Sequence, residues 1–568
     1  MAASRLGTPT AILQALQRLK TRFGPPFAKE KIDGLRALER VWLPQARQVE
    51  RLHELLCFWR AYPDDRRVAA TVERLLSAFA RRRDLRHHAD ALENTGIAGT
   101  SMRFPFFAPT ARWLARRWPG QLTVDWDRFE NTQRLASLLP LVVHGAEIPA
   151  LDEIDRTPRQ WIRRMKGPRE SEAAFLVRRL ANLPMNDAAR EILYDDLDPP
   201  LVLRPGATTP SRTLARHRRP PGAPPSYARG EGTHARPSPS EIGRLRPMRV
   251  RLLTPAEGRR AIDLARGAMV ARERDLDVFS YGSPYDVREV EFDGGLSFLC
   301  IGALPERRLL LEAVYGFVTL KNGVPVGYVL VSALFGSSEI AYNVFDTYRG
   351  AEAGWIYARV LAMTRHLFGS DTFTIFPYQL GEGNEEAVAS GAWWFYQKMG
   401  FRPRDAAVTR LMLRELARMK SSPRHRTGPA TLKRMAKENL YLRLGRERDD
   451  VIGRLELPNV GEHVMKSIAA RFGSDREAAE HVCAREAAVR LGVRPSSWSP
   501  AERAAWRRWA PVILILPGLG RWSPAERRGL AEVVRAKGGR RESEFVRRFD
   551  AHRQLRAAMR ALTLARPG

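Results

Sequence analysis

Two strand–turn–helix patterns follow each other between Ser337 and Pro403, and they constrain the fold more than any other part of the sequence. Residues 339–345 form a short run of apolar and β-compatible side chains, which breaks at residues 346–350. Apolar residues then recur at the three- and four-residue spacing of a helix, at Ile356, Val360, Met363 and Leu367. This stretch therefore predicts a strand, a turn and a helix.

The second pattern starts at residues 372–378, which have the composition of a strand and lead into a glycine-rich turn. Asn384 is a favourable N-cap, and Glu385 and Glu386 are acidic residues of the kind that stabilise the positive end of a helix dipole. We expect one helix to run from about Asn384 to Gly400.

A strand that leads through a turn into a helix is a ready site for an anion, because the first-turn N–H groups are unpaired and the helix dipole favours negative charge. The first of the two turns is therefore predicted to hold a phosphate group. The second pattern closes with Phe395-Tyr396-Gln397-Lys398-Met399-Gly400-Phe401. Together these features resemble the GNAT superfamily of N-acetyltransferases, and the matching positions are Arg349, Gly350, Gly354 and Tyr396.

The resemblance implies an α+β fold with a mixed sheet, and an enzyme that transfers an acetyl group from acetyl-CoA, its co-substrate, to an amine whose identity the sequence does not reveal. It implies that a backbone N–H near Val344 or Phe345 polarises the thioester carbonyl. It also implies that the turn binds the pyrophosphate of CoA through Arg349, Gly350, Ala351, Ala353 and Gly354.

The resemblance further implies that Tyr396 protonates the departing thiolate. A phenol pKa of about 10 is close enough to that of a thiol for the two groups to share a proton. Glu339 is expected to be the general base, because it enters the strand where a carboxylate could face the amine, and Glu312 and His366 are weaker candidates. Tyr342 and Asn343 point to opposite faces of the strand, so one of them is expected to line the cleft.

Two positions depart from the family pattern. Glu352 stands where the family usually has the middle glycine of the turn, and Ala389 stands where many members have an asparagine that contacts the cofactor arm. A carboxylate close to a pyrophosphate costs free energy through like-charge repulsion. The alternative is therefore a catalytically silent GNAT-fold scaffold or sensor whose basic helical flanks bind nucleic acid or a protein partner.

Breaks in composition divide the chain into five predicted segments. Residues 1–203 are expected to form a basic α-helical domain, 204–247 a flexible linker rich in Pro, Gly and Arg, 248–417 the acyltransferase domain, 418–430 a basic linker, and 431–568 a basic α-helical C-terminal domain.

Two local signals support the middle domain. Thr254-Pro255-Ala256-Glu257 predicts the start of a helix with a capping box, which should continue to about residue 275. Lys321-Asn322-Gly323 predicts a hairpin turn between strands at residues 309–320 and 324–334.

The formal net charge of +31 arises from 94 Lys and Arg residues against 63 Asp and Glu residues. Residues 248–417 contain 19 basic and 20 acidic residues, so the excess positive charge lies in the flanks. Because such a surface attracts polyanions at low salt, nucleic acid is a candidate partner of the flanks.

The three cysteines, Cys57, Cys300 and Cys483, lie far apart in sequence and predict neither a disulfide nor a zinc site. The sequence contains no run of about 18 apolar residues, as a membrane helix requires, and residues 1–22 lack the pattern of a signal peptide. We therefore expect a cytoplasmic protein without a membrane partner or a bound metal.

Overall fold

The computed structural model describes residues 8–217, 225–228, 236–350 and 352–565. The fold is mixed α/β, with a large mixed sheet and helices towards both ends of the chain. Its contacts define two compact units. The first unit comprises residues 1–232, 260–281 and 321–325, and the second unit comprises residues 233–259, 282–320 and 326–568.

Helices dominate the first third of the chain, as the spacing of its apolar residues predicts. They are α1 (Pro9–Arg18), α2 (Pro25–Leu38), α3 (Ala46–Ala61), α4 (Arg66–Phe79), α5 (Arg83–His87), α6 (Ala108–Arg117), α7 (Thr132–Val142), α8 (Ile148–Glu153), α9 (Pro158–Met165), α10 (Glu172–Ala181) and α11 (Asp187–Leu197). In α4, Asp65 caps the first turn by accepting a hydrogen bond from the Val68 N–H, and Val68, Val72, Leu76 and Phe79 are buried on one face.

A small antiparallel sheet interrupts these helices. Its strands are β1 (Met102–Phe104), β2 (Leu122–Val124) and β3 (Leu201–Leu203), with β3 in the centre. The sequence does not predict it, because three-residue strands are too short to show an alternating pattern.

The remaining elements follow in chain order. They are α12 (Pro239–Arg244), β4 (Arg249–Leu252), α13 (Pro255–Val270), α14 (Asp277–Ser280), β5 (Gly282–Glu291), β6 (Leu296–Ala303), β7 (Ala313–Lys321), β8 (Val324–Leu334), β9 (Ser337–Val344), α15 (Ala353–Phe368), β10 (Thr372–Ile375), α16 (Pro377–Leu380), α17 (Glu385–Ser390), α18 (Ala392–Lys398), β11 (Arg402–Pro403), α19 (Ala406–Ser421), α20 (Pro429–Met435), β12 (Leu440–Arg443), α21 (Pro458–Phe472), α22 (Arg476–Leu491), α23 (Pro500–Ile515), α24 (Pro524–Lys537), α25 (Glu542–Ala551) and α26 (Arg553–Leu564).

In the described part of the chain these strands form a nine-stranded sheet in the order β11-β12-β10-β9-β8-β7-β6-β5-β4. β9 and β10 are parallel, whereas β8 and β9 are antiparallel and pair along the whole of β9, from Gly327 opposite Val344 to Leu334 opposite Ser337. The sheet is therefore mixed, and its parallel pair is the one that precedes and follows α15.

The two strongest local predictions for this region are confirmed. Asn322 and Gly323 have positive φ angles of 51° and 80°, as the primed turns of tight hairpins require. At the start of α13, Thr254 N–H donates to a carboxylate oxygen of Glu257 at 2.9 Å, and the Glu257 N–H donates to the Thr254 hydroxyl at 3.4 Å. The helix ends at Val270 rather than near residue 275.

One expectation about the elements is wrong, and one strand was not predicted. The single helix expected between Asn384 and Gly400 is two helices, α17 and α18, which meet at Gly391 in the left-handed conformation (φ 68°). Strand β5 is absent from the sequence prediction, because its Gly, Pro and charged residues do not form an apolar run. The break between α17 and α18 lies at a glycine, the residue that most readily adopts a positive φ.

The core of the second unit joins the sheet to the C-terminal helices. Its buried residues include Phe317 of β7, Tyr357 of α15, Trp509 of α23 and Phe545 of α25. Residues 440–443, from the segment predicted to form a separate helical domain, supply strand β12 of the sheet. The predicted domain boundaries stay predictions, but residues 248–259 and 431–565 lie in one compact unit.

Parts of the predicted linkers are packed. Thr213 is 2% exposed, and Ile242 of α12 is 0% exposed. Residues 218–224 and 229–235 of the predicted 204–247 linker lie outside the described residues. Within the 418–430 segment, α19 continues to Ser421 and α20 begins at Pro429.

No single helix in the described ranges is both long and apolar enough to cross a membrane. One strongly bent pair, Thr132–Val142 with Gly145–Glu153 and an angle of 119° between them, meets that test jointly on length and composition alone.

Candidate functional site

Strands β9 and β10 pair at one end and then separate. Ser337, Ser338 and Glu339 are opposite residues 372–374 of β10, whereas residues 340–344 of β9 have no partner on β10. On its other edge β9 stays paired with β8 as far as Val344. One edge of β9 is therefore open along its second half, inside the sheet rather than at its margin.

The N–H groups along this open edge can be assigned from the pairing with β8. The Phe345 N–H donates to the Val326 carbonyl on the β8 side at 3.0 Å. Because N–H groups alternate in direction along a strand, those of Val344 and Tyr342 point away from β8. The backbone N–H of Tyr342 lies close enough to the phenol oxygen of Tyr396 to lower the pKa of that phenol.

A cavity of 230 Å³ lies beside the open edge. Its lining comes from the end of β9, the turn before α15, and α16 to α18 with their connections. The lining residues are Tyr342, Asn343, Val344, Arg349, Gly350, Ala353, Gln379, Asn384, Glu386, Ala387, Ser390, Ala392, Phe395 and Tyr396. The cavity therefore connects the strand edge to the turn that was predicted to bind phosphate.

Five of the residues predicted for the site line this cavity: Val344, Arg349, Gly350, Ala353 and Tyr396. Both Tyr342 and Asn343 also line it, although only one was expected to, because the cavity opens at the edge of β9 and reaches both of its faces.

The other predicted site residues lie elsewhere. Phe345 is 4% exposed, packs against the ring of Tyr328 and uses its N–H in the pairing with β8. Gly354 and Glu339 are not in the lining. Ala351 lies outside the described residues.

The turn before α15 places a helix N-terminus at the cavity. Gly350 has a φ of 83°, and Glu352 is the N-cap residue with a φ of 48°. α15 is 16 residues long, and no side chain at its N-cap accepts a hydrogen bond from its first turn. The first-turn amides and the helix dipole therefore favour an anion at this end of the cavity.

The Glu352 carboxylate does not lie in the cavity, where it would repel an anion at the start of α15. Its side chain is absent from the lining, and it is one of the acidic residues that favour the charged form of Arg359. Burial lowers the pKa of Arg359, and the neighbouring Asp293 and Glu352 carboxylates act in the opposite direction.

Arg349 lines the cavity but already has acidic partners. Its guanidinium pairs with Asp346 at 2.8 Å and with Glu386, the latter also a lining residue. The Arg349 side chain is 42% exposed, so these pairs are in contact with solvent. An anionic ligand would have to compete with Glu386 for this guanidinium.

A second guanidinium lies near the same helix end. A Cβ atom added to Gly354 would be 3.2 Å from Nε of Arg236, which is exposed. Sequence reasoning missed Arg236 because it falls in the segment interpreted as a flexible linker. The glycine at position 354 thus permits a close approach of this arginine to the first turn of α15.

Aromatic side chains form the inner wall of the site. Tyr357 packs edge-on against Tyr396 with ring centroids 5.5 Å apart, and Tyr342 stacks with Phe395 at 6.3 Å. Burial raises the pKa of Tyr396, and the hydrogen bond from the Tyr342 backbone acts in the opposite direction. The Tyr396 phenol therefore keeps its proton at neutral pH, and it can act as an acid rather than as a base.

Three buried polar atoms near the site have no hydrogen-bond partner in the described part of the chain. They are the hydroxyls of Tyr342 and Tyr357 and the Oδ1 atom of Asn343. Since buried polar atoms are usually paired, an unpartnered amide oxygen in the lining indicates a place where a ligand group could donate a hydrogen bond.

Glu339 lies on β9 three residues before Tyr342, a separation of about 10 Å along a strand. Burial, and secondarily the nearby Glu312 carboxylate, raise the pKa of Glu339 to about 7. A carboxyl group with this pKa is poised to exchange protons near neutral pH. Its role as general base stays a prediction, because the cavity lining does not include it.

Sequence reasoning missed Glu386, Gln379 and Phe395 as lining residues. Glu386 was interpreted only as a residue that favours the helix dipole. The local sequence does not show that Glu386 belongs to the site, because Glu386 becomes a partner of Arg349 only when α17 packs beside the turn.

We compared the chain with models of protein families, with curated proteins and with solved structures, and none of them matches it.

Proposed function

We propose that this protein is an N-acyltransferase that transfers an acetyl group from acetyl-CoA to an amine. The observation that carries the proposal is the separation of β9 and β10, which leaves a strand edge, a phosphate-binding type of turn and a phenol around one cavity. This arrangement has the parts that acyl transfer from a thioester needs, and it supports the predicted GNAT-like fold of the middle of the chain.

The pyrophosphate of CoA would lie at the start of α15, on the amides of Gly350 and Ala353 and beside Arg349. The acyl-carrying arm would run along the open edge of β9. There the N–H of Val344 points away from β8 and would donate to the thioester oxygen, stabilising the negative charge that develops as the amine attacks.

Tyr396 would give its proton to the sulfur as the carbon–sulfur bond breaks. Its phenol oxygen interacts with the Tyr342 N–H on the open edge, so it would lie beside the carbonyl in the proposed complex. Because burial keeps the phenol protonated, the proton is available at the moment the thiolate departs.

The second candidate is a silent member of the same fold, and one observation favours it. Arg349 is occupied by Asp346 and Glu386, so the turn already carries its own anions. In that case the basic flanks would bind nucleic acid or a protein partner.

We further propose that the protein is cytoplasmic.

The acyltransferase proposal can be tested with a variant in which a large side chain blocks the cavity. Ser390 lines the cavity and is exposed at the end of α17, so Ser390→Trp should fill the cavity without disturbing the core. Ser421→Trp, at the exposed end of α19 and outside the lining, is the matched control. We expect acetyl-CoA to raise the Tm of the unmodified protein and of the control, but not that of Ser390→Trp. Equal stabilisation of all three proteins would place the ligand elsewhere and contradict the proposal.

A further inference from the structure

A larger cavity of 510 Å³ lies in the second unit, and none of its lining residues belongs to the site described above. One wall comes from β4, β5 and the start of α13 and carries apolar and aromatic groups. Leu252 and Tyr285 in this wall are 47% and 50% exposed. The opposite wall comes from α23, α24, α25 and the loop of residues 538–541, and its charged residues are four arginines and three glutamates. The volume is in the range of small-molecule sites.

Buried charged side chains hold the loop of residues 538–541 in place through hydrogen bonds and an ion pair. The guanidinium of Arg308, whose side chain is 0% exposed, donates to the carbonyls of Lys537 and Gly539 at 2.6 Å and of Arg540 at 3.3 Å. Lys537 is itself buried and pairs with Glu542 at 2.6 Å. Because buried ionic groups are costly, a network that uses them to hold one surface loop indicates that the geometry of the loop matters.

The loop also passes very close to the start of α23. A Cβ atom added to Gly538 would lie 2.5 Å from both the Ala501 carbonyl oxygen and the Cα atom of Glu502. Only glycine fits at position 538, because any side chain would clash with this backbone. The loop is therefore held rigidly, and a rigid loop is a good platform for a binding site.

The arginines of the cavity differ in how they are paired. Arg535 pairs with Glu502 at 2.9 Å, and Arg541 pairs with Glu544. Arg540 has no carboxylate partner in the described part of the chain, and its guanidinium lies 5.7 Å from the ring centroid of Tyr285.

The same loop also has backbone N–H groups that are free to donate hydrogen bonds. The N–H groups of Arg540 and Arg541 have no hydrogen-bond partner among the described residues, whereas the next one, of Glu542, donates to Asp286 at 3.0 Å. The rigid loop thus carries two uncommitted amides and, near an exposed aromatic ring, a guanidinium without a carboxylate partner. Guanidinium and amide groups are the donors that phosphate prefers.

We propose that this second cavity binds a small phosphorylated ligand with a planar ring, of the nucleoside monophosphate class. The phosphate binds Arg540 and the loop amides, and the ring packs against Tyr285 and Leu252. This proposal does not depend on the acyltransferase function.

The test is a calorimetric titration of the full chain with adenosine 5′-monophosphate, adenosine and inorganic phosphate at one salt concentration. We expect saturable binding of the monophosphate and binding weaker by about tenfold or more for each of its two parts alone. Arg540→Ala and Tyr285→Ala should each weaken binding of the monophosphate by about tenfold. Arg528→Ala, an exposed residue of α24 outside the lining, should leave it unchanged.

Arg349→Ala separates this cavity from the site between β9 and β10, since a CoA site would also accept an adenine nucleotide. Binding that survives Arg349→Ala but not Arg540→Ala supports the proposal. Absence of saturable binding at millimolar nucleotide, or binding that Arg349→Ala removes and Arg540→Ala leaves intact, would overturn it. The proposal would also be overturned if the free nucleotide did not bind and a short RNA bound equally well to Arg540→Ala and to the unmodified protein.

Discussion

The guanidinium of Arg349 is ion-paired with the carboxylate of Glu386, and both side chains line the cavity beside the open edge of β9. Glu386 therefore competes for the residue that is proposed to bind the pyrophosphate of CoA. Solvent-exposed pairs of this kind are worth about 1 kcal/mol or less. Removal of this carboxylate should leave Arg349 with Asp346 as its remaining acidic partner, without disturbing the fold.

Glu386→Gln is accordingly predicted to tighten acetyl-CoA binding by up to about fivefold. Isothermal calorimetry measures this change directly. Glu385→Gln is the matched control, because Glu385 precedes Glu386 in α17 but pairs with Lys433 and is absent from the lining. Weaker binding by Glu386→Gln would mean that the carboxylate supports the ligand rather than competing with it.

Tyr396→Phe is predicted to separate binding from turnover. The ring remains in place, so the affinity for acetyl-CoA should change by no more than about twofold, whereas loss of the proton donor should lower kcat by about 100-fold or more. The measurement is release of CoA thiol with a panel of amines.

Tyr357→Phe is the control for this experiment. The Tyr357 ring packs against that of Tyr396, but its hydroxyl has no partner among the described residues and Tyr357 is not part of the lining. Turnover should therefore be retained in Tyr357→Phe. Equal kcat values for Tyr396→Phe and Tyr357→Phe would remove Tyr396 from the proposed mechanism.

Glu339 is predicted to make stability depend on pH. Its pKa is about 7 in the folded protein, above the usual value for an unfolded chain, so the folded state binds more protons between about pH 4.5 and pH 7. The contribution of Glu339 to the free energy of unfolding should therefore fall as the pH rises through this window. The total decrease is about 3 kcal/mol at most.

Glu339→Gln removes this titration. Urea unfolding at pH 5 and pH 8 should show a smaller loss of stability at pH 8 for Glu339→Gln than for the unmodified protein. Glu382→Gln, in an exposed turn, should behave like the unmodified protein. Parallel pH profiles for Glu339→Gln and the unmodified protein would show that Glu339 has no raised pKa.

The elements that could be predicted from sequence are those fixed by neighbouring residues. The Asn322-Gly323 turn is made by two adjacent residues and the capping box at Thr254 by residues three positions apart, and both form as expected. Likewise, the strand, turn and helix that end in α15 follow from local apolar spacing. Four of the five predicted site residues in the lining come together because these elements are consecutive in the chain, and the fifth, Tyr396, joins them from α18.

The features that could not be predicted depend on contacts between distant segments. Arg236 approaches Gly354 from a segment whose Pro, Gly and Arg content predicts a flexible linker, and Glu386 meets Arg349 only after α17 has packed. Strand β12 joins the sheet from a region in which helical spacing predominates. Burial, which sets the pKa of Glu339, likewise has no signature in the local sequence.

The central claim is that the cavity between β9 and β10 binds acetyl-CoA through the turn before α15, and calorimetric titration tests it most directly. We predict micromolar binding of acetyl-CoA by the unmodified protein, a loss of affinity of about tenfold or more in Arg349→Ala, and no change in Arg410→Ala, an exposed residue of α19 outside the lining. No detectable binding at millimolar acetyl-CoA, or equal affinity in Arg349→Ala and Arg410→Ala, would contradict the claim.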